Sequence, residues 1–161
     1  MQIPTNPNPV FMQRAIQLAI ENVRAGKGGP FAAVIVRDGE IIGEGANSVT
    51  TTNDPTAHAE VNAIRNACRA LNTFTLKDCE IYTSCEPCPM CLAAIYWARI
   101  RAIYYGSDSN DAARAGFDDS YFYEEIRLHR DARSVPLRQI LSGEAWQSFQ
   151  LWIDTPEKTE Y

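Results

Sequence analysis

Apolar residues between Val10 and Ala25 fall at Phe11, Ile16, Ala19, Ile20 and Val23, a spacing that predicts a helix. Gly26-Lys27-Gly28-Gly29-Pro30 ends it in a loop. Phe31 to Val36 and Ile41 to Gly45 are short β-branched runs joined by Asp38-Gly39, which predicts an antiparallel hairpin. The first run is apolar throughout, so it belongs in the middle of a sheet with both faces covered. Ala46 to Pro55 is polar and turn-rich, and predicts a loop. Ala57 to Leu71 carries a helical stripe of Ala59, Ala63, Ile64, Ala67, Cys68 and Leu71. Cys79 to Thr83 predicts a strand, Pro87 to about Ala98 a helix with Pro87 at its first position, and Arg101 to Tyr105 another strand. A helix between the last two strands favours a parallel, right-handed crossover. The class is α/β, with a mixed sheet between helical layers. Further helices are expected over Asp108–Ala115, ended by Gly116, over Tyr121–Leu128, and over Glu144–Ile153 with Trp146, Phe149 and Trp152.

Composition narrows the picture. A chain of 161 residues, 45% hydrophobic and 22% charged, suits one globular domain over 1–161. The net charge of −5 weakens a nucleic-acid reading, because phosphate binding relies on Lys and Arg. Met1 to Pro9 reads as an extended lead-in without the basic start and apolar run of a signal peptide. No stretch approaches the ~20 apolar residues of a membrane helix. The expectation is a cytoplasmic protein. The glycine cluster precedes a strand rather than opening a helix, which favours a turn beside a site over a phosphate cradle.

Five cysteines, an odd number, argue against a disulfide framework. Cys85, Cys88 and Cys91 crowd into seven residues, which points to a metal. Cys88 and Cys91 share one turn at a helix start, where the dipole favours thiolate. His58 offers a third ligand, and three ligands on zinc leave the fourth position for water, whose pKa falls to about 7. Glu60, two residues beyond His58, suits a proton carrier. An iron–sulfur run would need cysteine at position 95, which is Ile95. A closed structural site of Cys85, Cys88, Cys91 and His58 would leave Glu60 unexplained. Cys68 and Cys79 suit small core positions, and His129 lies in a charged run.

His58-Ala59-Glu60 with Pro87-Cys88-Pro89-Met90-Cys91 resembles the H-x-E…P-C-x-x-C pattern of zinc nucleobase deaminases. Gly29-Pro30-Phe31, Asn53 to Glu60, Thr83 to Cys91 and Gly116-Phe117-Asp118-Asp119-Ser120 are similar to the bacterial guanine deaminases of the cytidine deaminase superfamily. That resemblance implies a three-layer α/β/α fold with a central five-stranded mixed sheet. It implies one Zn²⁺ on His58, Cys88 and Cys91, with Glu60 moving protons and Asp119 as a second carboxylate. From the residues alone, Asp118 or Asp119 serves equally as a helix cap. The resemblance makes Asn47 a base-binding residue; a turn asparagine is the other reading. Phe31 and Trp97 are candidate aromatic faces for the base and equally suit core packing. The tail to Tyr161 resembles segments that close over the pocket, exchanged between the subunits of a homodimer from about residue 142; otherwise it is a disordered end. The implied reaction takes guanine to xanthine and ammonia in purine catabolism, with ammeline a further candidate substrate. The competing readings are a tRNA adenosine deaminase and a non-catalytic zinc-stabilised binding module.

Overall fold

Helix α1 (Pro9–Arg24) opens with Asn8, whose side chain accepts the Val10 N–H at 3.0 Å, and with Pro9 where a missing N–H is harmless. The structure, a computed structural model, describes residues 7–161; most of the expected lead-in, residues 1–6, lies outside them. Strands β1 (Ala32–Arg37) and β2 (Glu40–Ala46) form the expected antiparallel hairpin. Asp38 (φ 51°) and Gly39 (φ 83°) both take positive φ, the requirement of a tight turn matching strand twist. A four-residue helix, α2 (Val49–Thr52), lies within the expected loop. Then come α3 (Ala59–Leu71), β3 (Glu80–Cys85), α4 (Pro89–Trp97) and β4 (Ala102–Ser107). The sheet order is β2-β1-β3-β4, with β1 antiparallel to both neighbours and β3 parallel to β4.

The continuous apolar run of β1 is explained by its two partners. Val34 and Val36 face one way, against Ala15 of α1 and Tyr82. Ala33 and Ile35 face the other way, against Ala59, Ala63 and Ala67 of α3 and Ile95 of α4. The alanines recur every four residues and so share one face of α3. That face lies against two glycines of β2. A Cβ on Gly45 would stand 2.3 Å from the Ala59 carbonyl oxygen and 2.3 Å from the Ala63 nitrogen, and one on Gly43 would stand 2.6 Å from the Ala67 nitrogen. These contacts are backbone and cannot swing aside. Gly45→Ala should therefore destabilise the protein by on the order of 3 kcal/mol, read as a lower urea midpoint; an unchanged midpoint would contradict the close approach. The close seating of α3 matters because His58 and Glu60 stand at its start.

The sheet has four strands among the described residues, not the five that the resemblance implies. Among the described residues no ladder partner joins β4 on its outer side. The later apolar stretch Val135-Pro136-Leu137 forms no strand, and its proline has no N–H for a ladder. After β4 come α5 (Ser109–Arg114), Gly116 with φ 91°, and α6 (Ser120–Arg127). Tyr123–Tyr161 form a second compact unit, the first ending at Phe122. Within the second unit Arg133 donates to the carbonyls of Ile126 and Leu128, and Ser134 donates to Glu125. Helix α7 (Ser142–Asp154) has no buried residue. No helix among the described residues is long and apolar enough to cross a membrane.

Candidate active site

Two helix starts supply the metal ligands. His58 is the residue just before α3 and Cys88 the one just before α4; Pro89, rather than Pro87, takes the first helical position. Neither side chain caps its helix, although these positions usually carry Ser, Thr, Asp or Asn. Their side chains meet instead. His58 Nδ1 lies 3.6 Å from Cys88 Sγ and 3.5 Å from Cys91 Sγ. All three ligand atoms fall within 4.8 Å of one another. Tetrahedral zinc, with Zn–N of about 2.0–2.1 Å and Zn–S of about 2.3 Å, requires N and S about 3.6 Å apart. The donor set therefore fits zinc in both chemistry and spacing. Cys85 is buried with its thiol directed to the Asp108 carbonyl at 3.8 Å, and burial pushes its pKa up to about 11. It stands outside the ligand set.

Charge around the ligands is finely balanced. A hydrogen bond from Cys91 holds the Cys88 thiol down to about 4, assisted by His58. The same bond pushes Cys91 up, and burial adds to it. His58 is raised above its usual value, first by its hydrogen bond to Cys88. A divalent cation replaces the protons shared among these groups, which is how thiolate sites take up metal. Glu60, in the first turn of α3, is 6% exposed. Burial pushes its carboxyl upward, opposed by hydrogen bonds from its own backbone N–H and from Cys91. Thr83 of β3 donates to its Oε1 at 3.4 Å. A carboxyl raised in this way holds a proton more readily than a free glutamate does, which suits a proton carrier.

A cavity of roughly 500 Å³ opens onto His58, Glu60 and Cys88. Its walls include Asn47, Phe31 and Asp119, so six of the nine expected site residues line it, and Cys91 is tied to it through His58. Asp119 is half-buried, and burial followed by the neighbouring Cys88 raises its carboxyl. Asp118 stands at the start of α6, where its carboxylate accepts from the Ser120 hydroxyl and from the backbone N–H groups of Tyr121 and Ser120. Trp97 ends α4, is 62% exposed and is not among the residues lining this cavity. At that position the face of α4 directed to the core belongs to Ile95 and Ala98. Tyr161 lies in the second unit, its ring 6.5 Å from that of Trp152. Phe117 and Glu86 also line the cavity and were not anticipated. Phe117 meets Phe31 edge-on at 4.8 Å, and Glu86 accepts the Ser109 N–H at 3.1 Å. Both lie inside the stretches that carried the resemblance, the one signal that could have exposed them.

Residues 6–107 match the zinc-binding region of the cytidine and deoxycytidylate deaminases. The chain belongs to this deaminase family. It is 57% identical to the guanine deaminase of Bacillus subtilis (strain 168) over 151 residues, covering 94% of this chain and 97% of that protein. It superimposes on the X-ray structure of a Bacillus subtilis guanine deaminase with a TM-score of 0.93 at 55% identity, covering 97% and 99% of the two chains. A second solved protein, in complex with 2,6-diaminopurine, aligns at a TM-score of 0.65 and 35% identity over 68% of this chain and 61% of its own. The tRNA-specific adenosine deaminase of Aquifex aeolicus is 49% identical over only 78 residues, 48% of this chain and 52% of its own. Membership of a zinc-binding deaminase family accords with the His58, Cys88 and Cys91 geometry.

Proposed function

We propose that this protein is a guanine deaminase, hydrolysing guanine and water to xanthine and ammonia. The likeness to the Bacillus guanine deaminase, which runs through 94% of the chain, carries the reading. The tRNA-specific adenosine deaminases are less alike: 49% identical over 48% of the chain in one case, 41% identical over 80% of it in another. The cavity agrees: no Lys or Arg among the described residues lines it, so its lining does not favour a polyanion. A non-catalytic zinc module would give no reason to bury the Glu60 carboxylate beside the ligands.

Zinc on the three donors supplies an activated water and stabilises developing negative charge. Glu60 takes one proton from the attacking water and delivers it to the purine ring, then takes the second from the hydroxyl added to the ring carbon and passes it to the departing amino group, which leaves as ammonia. Asp119, raised in the same direction, is a second proton site lining the same cavity. Asn47 hydrogen-bonds the base, and Phe31 with Phe117 forms an apolar wall for its flat ring. Ammeline carries a similar amino-bearing carbon between ring nitrogens and is a second candidate substrate. The setting is cytoplasmic purine catabolism. Ammonia release from guanine, adenine, cytosine, cytidine and tRNA tests the reading; release from tRNA but not guanine would overturn it.

The proposal extends to a homodimer that exchanges its C-terminal segment, with Tyr161 covering the partner's pocket. Helix α7 supports it: Trp146, Phe149 and Leu151 are each more than half exposed in the single chain. So do the exposed Ile16, Ile20 and Val23 of α1. Patches of this kind mark contact surfaces. Sedimentation equilibrium should give twice the 18.0 kDa chain mass; a monomer at micromolar concentration would contradict the exchange.

A further inference from the structure

Two asparagines from separate helices meet the backbone around Asn47, which itself lines the cavity. Asn47 lies just beyond β2, and its backbone N–H donates to the Phe31 carbonyl at 2.9 Å. Its side-chain Oδ1 accepts the backbone N–H groups of Gly29 and Val49, each at 3.3 Å. Only oxygen can accept two N–H donors, so the amide has one orientation: carbonyl toward the backbone, Nδ2 left for the cavity. Flipping it would strip both N–H groups of their partner.

The segment holding Asn47 is gripped from two sides. Asn22 of α1 is 6% exposed, and its Nδ2 donates to the Asn47 carbonyl and to the Gly29 carbonyl, both at 2.9 Å. Asn62 of α3 directs its Nδ2 to the Ala46 carbonyl at 2.9 Å, the Ser48 hydroxyl at 3.1 Å and the Ala57 carbonyl at 3.3 Å. The residues before and after Asn47 are thus tied to α3, and Asn47 itself to α1. The glycine loop presses on the same point: a Cβ on Gly28 would stand 2.1 Å from the Asn47 carbonyl oxygen.

We infer that Asn22 and Asn62 are positioning residues that lock the Asn47 amide as a fixed hydrogen-bond donor, so that the pocket selects bases presenting an acceptor, a carbonyl oxygen or bare ring nitrogen, at that point. A donor already oriented loses no rotamer freedom when the base arrives, so its contribution appears in substrate binding. The kinetic half of the test rests on the guanine reading; the spectroscopic half does not.

The test uses zinc-loaded protein carrying Asn22→Asp or Asn62→Asp, alone and with Asn47→Ala. Aspartate keeps the size of asparagine but removes both donor hydrogens and sets oxygen against carbonyl oxygen. Each single variant is expected to raise KM for guanine about tenfold, with kcat within about threefold. In the Asn47→Ala background each is expected to change KM less than about twofold, because the residue it positions is gone. The side-chain amide NMR signals of Asn47 give the second readout: one sharp pair in the parent protein, broadened or doubled in the single variants. Should an aspartate variant fail to fold, Asn22→Ser and Asn62→Ser are read the same way. Unchanged KM in the single variants, an equal KM rise in both backgrounds, a loss confined to kcat, or unchanged Asn47 amide signals would overturn the inference. A parent protein inactive on guanine would overturn the guanine reading instead, leaving the amide signals to decide the clamp.

Discussion

Replacing Glu60 by Gln should lower kcat for guanine by about 10³-fold while leaving zinc content and melting behaviour close to those of the parent protein. Glutamine fills the same space and can accept the Thr83 hydroxyl bond, but it cannot carry a proton. Glu60 is not in the ligand triad, so zinc has no reason to leave. Burial already disfavours the charged carboxylate, and the neutral amide removes that conflict, so stability should hold or rise slightly. Kinetics with metal analysis on the same sample checks this. An E60Q protein of near-normal kcat would remove Glu60 from the mechanism; one lacking zinc would recast it as a support for the metal.

The second large effect is expected from the metal itself. Dialysis against a chelator should abolish turnover, lower the thermal midpoint, and be reversed by zinc. A bound ligand stabilises by about 4 kcal/mol when its free concentration is a thousandfold above Kd. Cys91→Ala should lose zinc and activity together and not recover on adding zinc. Uptake needs a neutral His58 and two thiolates, so protons compete with the metal. His58 is raised above its usual value, so its proton persists to higher pH than in a free histidine. Zinc affinity should therefore fall as pH drops through that raised value, and be insensitive to His58 well above it. Competition titrations with a zinc-responsive dye across pH measure this. A chelated protein with full activity would contradict the metal's role.

Much of this could be read before any coordinates, for definite physical reasons. The hairpin was legible because Asp38-Gly39 supplies the positive φ angles that its turn demands. The central place of β1 followed from its lack of a polar face. The ligands stood out because three cysteines crowd into seven residues and His58 is one of only two histidines. Other features depend on contacts distant in sequence. The tight seating of α3 arises from Gly43 and Gly45 facing Ala59, Ala63 and Ala67, a match visible only after folding. Asn22 and Asn62 look like ordinary polar helix residues until their amides are seen to meet the carbonyls around Asn47. The exposure of Trp97 was not legible, because apolar spacing in α4, which is apolar nearly all round, does not reveal which side meets the core. The fifth strand came with the resemblance, and no ladder beyond β4 supplies it among the described residues.

The most direct measurement of the central claim is mass analysis of the product formed from guanine in ¹⁸O-water by zinc-loaded protein. Hydrolysis at the amino-bearing carbon predicts xanthine carrying one ¹⁸O atom and one equivalent of ammonia, both absent with E60Q on the same timescale. Guanine recovered unchanged, or xanthine formed without ¹⁸O, would contradict it.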